Sequence, residues 1–494
     1  MLDPLSTLLR VGNARNGVDA IAYVAGEKQL EWLKGFGDTV RTVIELGDFK
    51  GKLEETILIY ESSATVKRVI LAGAGGNEWF GDAERLRVAV ASAVKLARSK
   101  KSIKRLGVVV HEELLEKAAE TAGRDTVWSV EQALVAADMA NYVYSLRERE
   151  EKPHILEEVR LEPGDEKAVE TAKAIAEAVR VARDIANAPA NRLSPEKLEE
   201  KARELASRLG LTIRVLYRSD LESLGMGGIL AVGSGSNVEP RLIILEYNSG
   251  GKRIAVVGKA VVFDAGGLDL KPPQAMQEMK FDKSGGAAAI GAVVAAALLR
   301  LPVNMVALVP AVENLPSGRA YKPLDVIRMY NGTTVEIGNT DAEGRLIMAD
   351  ALAYAAEKYK PDYMFDFATL TGAAVVALGN HAAALFSNND QLASMVERAA
   401  WIAGEPVWKM PLWPVYAKQL ESHVADTNNV GGRPAGAITA AKFLEKFVGD
   451  RPWAHLDIAG TAWVQEKGPW KPYYEKGATG WGVRTLVEFL RLLI

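Results

Sequence analysis

Residues 253–258 read RIAVVG, an almost unbroken apolar run. Such a short run predicts a strand of a parallel sheet whose two faces are both covered by helices. Similar runs occupy residues 212–215, 241–247, 303–309 and 363–367, and helical patterns lie between them. This alternation of strands and helices predicts an α/β domain with a central, mostly parallel sheet.

The N-terminal part of the chain repeats the same alternation on a smaller scale. Apolar runs at residues 18–24, 56–60, 69–71 and 106–110 are interleaved with helical patterns at 83–97 and 126–144. A charged, proline-bearing stretch at 147–166 then precedes a helical pattern at 167–186. We therefore expect a smaller N-terminal α/β domain at 1–146, a linker and connecting helix at 147–182, and a larger C-terminal α/β domain at 183–494.

Composition limits the classes of protein that this chain can belong to. The 494 residues are 48% hydrophobic and 25% charged, which is ordinary for a globular protein with a large core. A formal net charge of -3 predicts no general affinity for nucleic acid, although a small basic run at 98–105 leaves local binding open. Since there is no cysteine, thiol catalysis, cysteine-ligated zinc and disulfides are excluded, and a cytoplasmic location is favoured.

Nothing in the sequence predicts contact with a membrane. The N-terminus lacks the charged and apolar regions of a signal peptide. Residues 285–299 are uncharged but shorter than the ~20 residues that a span requires, and they are rich in alanine and glycine. We expect this segment to be a buried helix packed closely against a sheet.

The segment most informative about chemistry is NTDAEGRL at residues 339–346. In an extended segment, the side chains of Asp341, Glu343 and Arg345 would share one face. Three ionisable groups on one side are costly to bury without compensation, so the cluster predicts a metal or an anion. A helical pattern follows at 346–358 and would place Arg345 near a helix N-terminus, where backbone N–H groups also favour an anion.

A second charged cluster follows the strand at 253–258. It reads GKAVVFDAGGLDLKP at residues 258–272, and MKFD follows at 279–282. Ends of strands are where α/β folds build their sites. Lys259 and Lys271 lie in apolar sequence, where a buried ammonium loses its proton readily and can become a ligand or a tuned acid. The other interpretation, exposed lysine heads around a glycine turn, stays open at this point.

Together these segments resemble the cytosol (leucine) aminopeptidase family. Residues 339–346 match the signature of that family without a mismatch, and the match continues through 258–272, 282–289 and 368–373. Weaker similarities occur at 187–191 and 477–482. The resemblance covers the chain from about residue 183 to its end, and the N-terminal third offers no motif of this kind.

The resemblance implies a site with two divalent metal ions. Around one ion it places Lys259, Asp264, Asp282 and Glu343, and around the other Asp264, Asp341 and Glu343. It makes Lys271 the catalytic lysine and Arg345 the arginine that holds a bicarbonate ion serving as general base. Met279, with the backbone of Leu370 and Gly372, would form part of the substrate pocket. The resemblance also implies a homohexamer whose active sites face an interior cavity.

Four positions depart from the family pattern, and none of them is a presumed ligand. This chain has Ala260 where the family usually has glycine, Val262 where it has threonine, and Ala265 and Asp269 where it has serine. Asp269 adds a carboxylate close to Lys271, which bears on the choice of metal and on the properties of that lysine.

Such a site suits the hydrolysis of an amide bond. Two divalent ions can activate a water and polarise the carbonyl group, while a charged Lys271 would stabilise the developing oxyanion. An oxygen-rich set with one amine suits Mn²⁺ or Zn²⁺, and also Co²⁺ or Mg²⁺. A ligating Lys259 must be neutral, so metal affinity should fall on acidification. We predict an aminopeptidase that releases apolar, leucine-like N-terminal residues from peptides.

Two other functions remain to be weighed. A metallophosphoesterase could use the same carboxylates but would be expected to recruit more histidine and a set of phosphate-binding arginines. The five histidines are His111, His154, His381, His423 and His455, and they show no H-E-x-x-H spacing. A DNA-binding or scaffolding role, beside catalysis or instead of it, is the other alternative.

Two further features have ordinary structural interpretations. His455 is expected at the end of a strand rather than in direct catalysis. Residues 73–76 read GAGG, which is similar to part of a phosphate-binding loop but lacks the complete glycine pattern and the lysine of such loops. A plain turn from strand to helix is the better interpretation of this segment.

Overall fold

The computed structural model describes residues 7–62, 64–76, 81–465 and 471–494. The chain divides into two compact units. The first comprises Met1–Glu177 and Lys467–Glu475, and the second comprises Ala178–Glu466 and Lys476–Ile494. The predicted organisation as two α/β domains is confirmed by the elements of each unit, described below.

The first unit is built on a mostly parallel sheet. Within the described residues it has six strands: β1 (Leu8–Val11), β2 (Ala20–Ala25), β3 (Thr56–Tyr60), β4 (Arg68–Gly73), β5 (Arg105–Val110) and β6 (Glu158–Glu162). Their order is β1-β6-β5-β2-β4-β3, and of the pairings in it only β3 with β4 is antiparallel. The stretch interpreted from sequence as a linker thus contains β6, which pairs with both β1 and β5.

Within the described residues, the first unit has α-helices at the three predicted positions, 83–97, 126–144 and 167–186, and three further α-helices that were not predicted. The helices are α1 (Leu30–Leu33), α2 (Asp38–Glu45), α3 (Asp82–Arg98), α4 (Glu112–Ala122), α5 (Thr126–Asn141) and α6 (Glu166–Asn187), of which α6 continues into the second unit. Capping fixes their ends: Asp125 accepts a hydrogen bond from the backbone N–H of Trp128 at the start of α5, and α4 ends at Gly123 in the left-handed conformation.

The glycine-rich loop after β4 is a close-packed turn. The backbone N–H groups of Gly73, Ala74 and Gly75 donate to the carbonyls of Glu55, Ala25 and Gly51. A Cβ on Gly73 would lie 1.8 Å from the carbonyl oxygen of Lys52, so only glycine fits there. These three backbone donors are therefore occupied within the protein, which supports the interpretation as a plain turn.

The second unit contains the larger sheet. Its strands within the described residues are β7 (Thr212–Leu216), β8 (Arg241–Asn248), β9 (Arg253–Gly258), β10 (Ala260–Asp264), β11 (Asn304–Asn314), β12 (Val326–Arg328), β13 (Thr334–Glu336), β14 (Tyr363–Ala368), β15 (Ala383–Ser387), β16 (Val407–Lys409), β17 (Thr427–Asn428) and β18 (Trp453–Asp457). The large sheet has the order β16-β15-β18-β14-β9-β11-β8-β7, with β10 paired to β11, and β12-β13-β17 form a small separate sheet.

The centre of the large sheet is parallel, as the apolar runs predict. Strands β18, β14, β9 and β11 pair in parallel, and the antiparallel pairs lie towards both edges. Strand β11 runs past the predicted end at residue 309 to Asn314, because its last residues pair with β10. The carboxyl ends of the central strands therefore lie side by side, and a site is expected there.

Helices cover this sheet. They are α7 (Pro195–Leu209), α8 (Arg218–Leu224), α9 (Gly227–Gly233), α10 (Pro273–Met276), α11 (Ser284–Leu298), α12 (Gly344–Lys358), α13 (Gly372–Leu378), α14 (Asp390–Ala403), α15 (Gly436–Glu445) and α16 (Val483–Leu493). The apolar segment predicted as a buried helix is α11, whose residues from Ser284 to Ala296 are buried.

Segment Met279–Leu298, which contains α11, is the one helical segment among the described residues that is long and apolar enough to cross a membrane. The residues of its most apolar window are 89% buried inside the protein. Glycines seat the helix on the sheet: a Cβ on Gly285 would lie 2.0 Å from the carbonyl oxygen of Phe367 in β14. Burial of this kind is typical of a core helix.

Candidate metal centre

Polar side chains gather at the carboxyl ends of the central strands. Lys259 directly follows β9, Asp264 ends β10 and Asn314 ends β11. Thr369 directly follows β14, and Asp457 ends β18. Because these strands are neighbours in one sheet, residues far apart in sequence meet at one edge.

Five residues predicted as ligands meet in one cluster. Carboxylate oxygens of Asp264, Asp341 and Glu343 lie within 4.8 Å of one another. The Nζ atom of Lys259 lies 2.8 Å from Oδ1 of Asp282 and 2.9 Å from Oε1 of Glu343. Four of the five are buried, and Asp341 is half-buried. Of the residues that the structure describes, Asp264, Asp341 and Glu343 form the one group of three acidic or histidine side chains close enough to share an ion.

Lys271 closes the cluster from a neighbouring loop. Its Nζ atom lies 2.8 Å from Oδ2 of Asp264 and 2.6 Å from Oδ1 of Asp341. The loop folds back because Gly266 and Gly267 adopt φ of 89° and 67°, in the left-handed region that favours glycine. The backbone N–H of Lys271 then donates to the carbonyl of Ala265. The glycine turn and the buried lysine are thus parts of one arrangement.

The electrostatics of the cluster favour added positive charge. Burial, with the carboxylates of Glu343 and Asp341, raises the pKa of Asp264 to about 6, although Lys271 and Lys259 act in the opposite direction. Burial opposes the charged form of Lys259, but the carboxylates of Asp282 and Glu343 outweigh it and hold its pKa above the usual range. Four carboxylates thus face two ammonium groups in a space shielded from water, and divalent cations would relieve the excess negative charge.

An unsatisfied oxygen also shows that a metal fits here. The buried Oδ2 atom of Asp282 has no hydrogen-bond partner. Oδ1 of Asp341 and Oε1 of Glu343 are instead paired with the ammonium groups of Lys271 and Lys259. Buried polar atoms are rarely left without a partner, and carboxylate oxygens beside one amine form a donor set suited to divalent ions.

The signature segment reaches the cluster differently from the prediction. An extended strand was expected to present Asp341, Glu343 and Arg345 on one face, and this is wrong. Residues 340–341 form a turn, and Glu343 has helical φ and ψ of −76° and −36° directly before α12. The side chain of Asn339 accepts a hydrogen bond from the N–H of Asp341 at 2.7 Å and so favours the turn. The helix predicted after Arg345 is confirmed.

Arg345 is a buried guanidinium that has no acidic partner among the described residues. It donates to the carbonyl of Asn429 at 2.7 Å, and its Nε atom has no hydrogen-bond partner. Among the described residues, no carboxylate oxygen lies within 4.0 Å of its nitrogens. Burial lowers its pKa to about 10. A buried guanidinium with donors to spare is a fitting place for a small anion.

The predicted substrate residues lie on two segments beside the cluster. Met279 begins a short 3₁₀ turn that ends directly before Asp282. Leu370 and Gly372 follow Thr369, whose carbonyl accepts a hydrogen bond from Lys259 at 2.9 Å and whose hydroxyl donates to Asp282 at 2.7 Å. The structure therefore brings both segments to the cluster.

Several supporting residues escaped prediction from sequence. Asn314 donates to Asp264 at 2.9 Å, and Asp457 accepts from the N–H of Leu370 at 3.1 Å and from the hydroxyl of Thr371 at 2.7 Å. Tyr321 donates to the carbonyl of Thr340 at 2.7 Å. A polar residue closing an apolar run could have pointed to Asn314 and Asp457, whereas nothing local distinguishes Tyr321.

Asp269, which departs from the family pattern, ties two loops together. Its carboxylate accepts a hydrogen bond from the N–H of Thr340 at 2.7 Å. Its own N–H donates to the hydroxyl of Thr340 at 2.8 Å. The added carboxylate therefore supports the turn that carries Asp341.

His455 lies inside the sheet and contributes no side-chain contact to the cluster in the described structure. Its Nδ1 atom is 2.5 Å from Oδ1 of Asp366 on the neighbouring strand, and its ring stacks on those of Phe386 and Trp453. The side chain is completely buried. This arrangement indicates a structural role, in agreement with the sequence interpretation.

An α/β sheet with a buried carboxylate and lysine cluster at its strand ends defines a metal-dependent enzyme. Comparison of the sequence with known families identifies the class more closely. Residues 180–487 match the catalytic domain of the cytosol aminopeptidase family, and residues 24–147 match its N-terminal domain.

Individual relatives agree with this match. The chain is 45% identical to a probable cytosol aminopeptidase of Syntrophotalea carbinolica over 456 residues, which cover 90% of this chain and 89% of that protein. It is 42% identical to one of Geotalea uraniireducens, covering 93% and 92%. The chain belongs to the cytosol aminopeptidase family and is a metal-dependent aminopeptidase, a hydrolase of peptide bonds.

Solved structures show the same fold across the whole chain. The bottromycin maturation enzyme BotP in complex with Mn is 34% identical, with a TM-score of 0.85, and the match covers 97% of this chain and 100% of that one. A mutant of tomato leucine aminopeptidase is 30% identical, with a TM-score of 0.85 and coverage of 99% and 97%. These comparisons do not favour the metallophosphoesterase alternative.

Proposed function

We propose that this aminopeptidase removes apolar, leucine-like N-terminal residues and uses two divalent ions, Mn²⁺ or Zn²⁺. The observation that carries the proposal is the cluster itself: four carboxylates, one of them with an oxygen that lacks any partner, surround two lysines at the strand ends. The manganese in the BotP structure and the name of the tomato relative support the metal and the leucine preference.

The ligands are assigned as the family resemblance implies, and the cluster supports the assignment. Asp264 and Glu343 would help to hold both ions. Lys259 and Asp282 would complete one set of ligands, and Asp341 the other. When bound, two such ions activate a water and polarise the carbonyl of the peptide bond. The carboxylates hold them in a space shielded from water, where electrostatic interactions are strong.

Lys271 and Arg345 have separate roles in this proposal. Lys271 approaches the cluster from the more open side. Burial lowers the pKa of Lys271, but the carboxylates of Asp264 and Glu343 outweigh burial and hold this pKa above its usual range. It therefore stays an ammonium that can stabilise a developing oxyanion. Arg345, a buried guanidinium with no acidic partner in the described part of the chain, would hold a bicarbonate ion that serves as general base.

Substrate binding is assigned to Met279 and to the segment that contains Leu370 and Gly372. Leu370 packs against the apolar core of the unit, and Gly372 is exposed at the start of α13. Met279 is a flexible apolar side chain that can adapt to an apolar first residue of the substrate. Residues 183–494 would carry the whole activity.

The assembly and location are proposed in the same way. We propose a homohexamer in the cytoplasm, acting on peptides without a membrane or nucleic-acid partner. Exposed apolar side chains of the second unit support self-association, among them Val376, Trp401, Trp408, Trp413 and Val424. The net charge of -3 gives no support to a DNA-binding role.

The test is a panel of aminoacyl chromogenic amides assayed on metal-free protein restored with one metal at a time. Hydrolysis should be fastest for leucyl and similar apolar derivatives and should require Mn²⁺ or Zn²⁺. Turnover of phosphate esters without turnover of amides would overturn the proposal. Binding of a DNA duplex that weakens with salt, in protein unable to hydrolyse amides, would support the scaffolding alternative.

A further inference from the structure

Asn429 lies beside the turn at residues 340–341, here called the signature turn, although it is distant from this turn in sequence. It is completely buried and directly follows β17. Strand β17 pairs in parallel with β13, so that Glu336 is opposite Asn428. The backbone N–H of Asn429 then donates to the carbonyl of Glu336 at 3.0 Å. The small sheet thus fixes Asn429 against the residues that lead into the turn.

The side chain of Asn429 contacts both ends of that turn. Its Oδ1 atom accepts hydrogen bonds from the N–H groups of Gly338 at 2.8 Å and Asn339 at 3.3 Å. Its Nδ2 atom donates to the carbonyls of Asn339 at 2.8 Å and Ala342 at 3.4 Å. Because the backbone offers two donors on one side and two acceptors on the other, only an amide of this length satisfies all four groups.

The backbone of the same residue contacts Arg345. The guanidinium donates to the carbonyl of Asn429 at 2.7 Å. The side chain of Asn429 therefore holds the turn that presents Asp341 and Glu343, and its main chain holds the guanidinium of Arg345. Side chains also pack closely against the backbone at Gly338, because a Cβ there would lie 2.5 Å from Oδ1 of Asn428 and 2.7 Å from the side chain of Val430.

We propose that Asn429 is a positioning residue of the metal centre: it fixes the turn that carries Asp341 and Glu343 and aims Arg345 at the same space. It acts through these residues and does not contact the substrate. The inference rests on the proposed function, because it assumes that Asp341 and Glu343 bind metal. Groups that orient ligands in this way typically change metal affinity or activity by about 10–100-fold when replaced.

The neighbouring Asn428 provides a matched control. Its Oδ1 atom accepts a hydrogen bond from the N–H of Val430 at 3.0 Å, a bond that an aspartate can also accept. Asn428→Asp therefore introduces the same charge into the same loop without removing a donor to the signature turn. Asn429→Asp places a carboxylate against the carbonyls of Asn339 and Ala342 and removes both of those bonds.

The experiment measures Mn²⁺ binding to metal-free protein by calorimetry, together with kcat and KM for a leucyl amide. Asn429→Asp and Asn429→Ala should bind Mn²⁺ about 10–100-fold more weakly. At saturating Mn²⁺ they should retain KM within about twofold but lose kcat, since Arg345 is displaced as well. Asn428→Asp should match the wild type in all three values.

Wild-type Mn²⁺ affinity and kcat in Asn429→Asp would overturn the inference. If the metal-free form of either Asn429 variant has a melting temperature far below that of Asn428→Asp, Asn429→Ser is measured in place of that variant. Serine keeps one donor and one acceptor, so an intermediate loss of Mn²⁺ affinity supports the inference, and wild-type affinity refutes it. If the wild-type protein itself neither binds Mn²⁺ nor hydrolyses the amide, the proposed function has failed instead.

Discussion

At the scale of single residues, the two lysines of the metal centre differ in their surroundings. Lys259 is buried between Asp282 and Glu343 and also donates to the carbonyl of Thr369, whereas Lys271 bridges Asp264 and the half-buried Asp341. A ligand and an oxyanion stabiliser would occupy such different positions. Substitution should therefore separate their roles.

Lys271→Ala should keep both metals but reduce kcat by about 10²–10³, the usual effect of losing one oxyanion stabiliser. Lys259→Ala should instead lower the affinity of one metal site, because an amine ligand is lost. Metal content by mass spectrometry and kcat at saturating metal measure the two effects. Equal loss of metal in both variants would show that this division of roles is wrong.

A second residue-scale prediction concerns the buried pair of His455 and Asp366. Burial opposes the charged imidazole and Arg345 adds to this, but the carboxylates of Asp366 and Asp457 outweigh both and raise the pKa of His455 above 6.5. Because folded His455 binds its proton more tightly than the unfolded residue does, protonation stabilises the folded protein below pH ~6.5. This stabilisation is lost as the pH rises through the pKa of His455 in the folded state.

The melting temperature of metal-free wild-type protein should therefore fall from pH ~6 to pH ~8 more steeply than that of His455→Gln, which lacks the titrating group. Differential scanning fluorimetry at several pH values measures both slopes. Identical slopes, or a wild-type melting temperature that rises relative to the variant over this range, would contradict the prediction.

At the scale of elements, the seating of α11 on the sheet positions Lys259. A Cβ on Gly285 would lie 2.0 Å from the carbonyl oxygen of Phe367 and 2.9 Å from the backbone nitrogen of Lys259, and these two atoms share a hydrogen bond. Gly285→Ala should destabilise the protein by at least about 1–3 kcal/mol, the usual cost of overpacking a core. Thermal melting measures the effect.

Gly318 supplies the control for that substitution, because a Cβ there would meet nothing within 4 Å and its φ is not in the left-handed region. Gly318→Ala should leave the melting temperature almost unchanged. Equal melting temperatures for the two variants would mean that close contact between α11 and the sheet does not limit stability.

Most elements of the fold could be predicted from sequence because apolar runs and helical patterns are local properties. The runs at 253–258 and 363–367 became β9 and β14, and the glycine-rich apolar segment became α11. The turn at 340–341 was missed because alternating charges suggested an extended strand, whereas side-chain hydrogen bonds of Asn339 and Asn429 favour a turn. Contacts from residues about 90 positions away leave no local pattern in the sequence.

The same reasoning explains what was found and missed in the metal centre. Asp341 and Glu343 could be identified because charged residues beside apolar sequence are conspicuous. Asn429 could not, because a buried amide in a loop rich in asparagine and glycine resembles an ordinary turn. Its importance depends on the pairing of β13 with β17, a contact between distant parts of the chain.

At the scale of the whole molecule, the proposed hexamer accounts for the exposed tryptophans of the second unit. Six chains around a cavity would bury such side chains and admit short peptides while excluding folded proteins. The particle should sediment near six times the chain mass of 53.4 kDa. A stable, fully active monomer in analytical ultracentrifugation would remove the hexamer from the proposal and leave the chemistry of the metal centre unchanged.

The central claim is that the carboxylate cluster makes the chain an aminopeptidase, which must recognise a free α-amine. A free amine has a lone pair that can complete the coordination of an ion held by the cluster, and acetylation removes it. The most direct measurement compares leucyl amide with N-acetyl-leucyl amide on protein restored with Mn²⁺. The acetylated compound should be poorer by at least about 10³ in kcat/KM, equivalent to roughly 4 kcal/mol of transition-state stabilisation. Comparable cleavage of the two compounds would contradict the claim and indicate an amidase or endopeptidase.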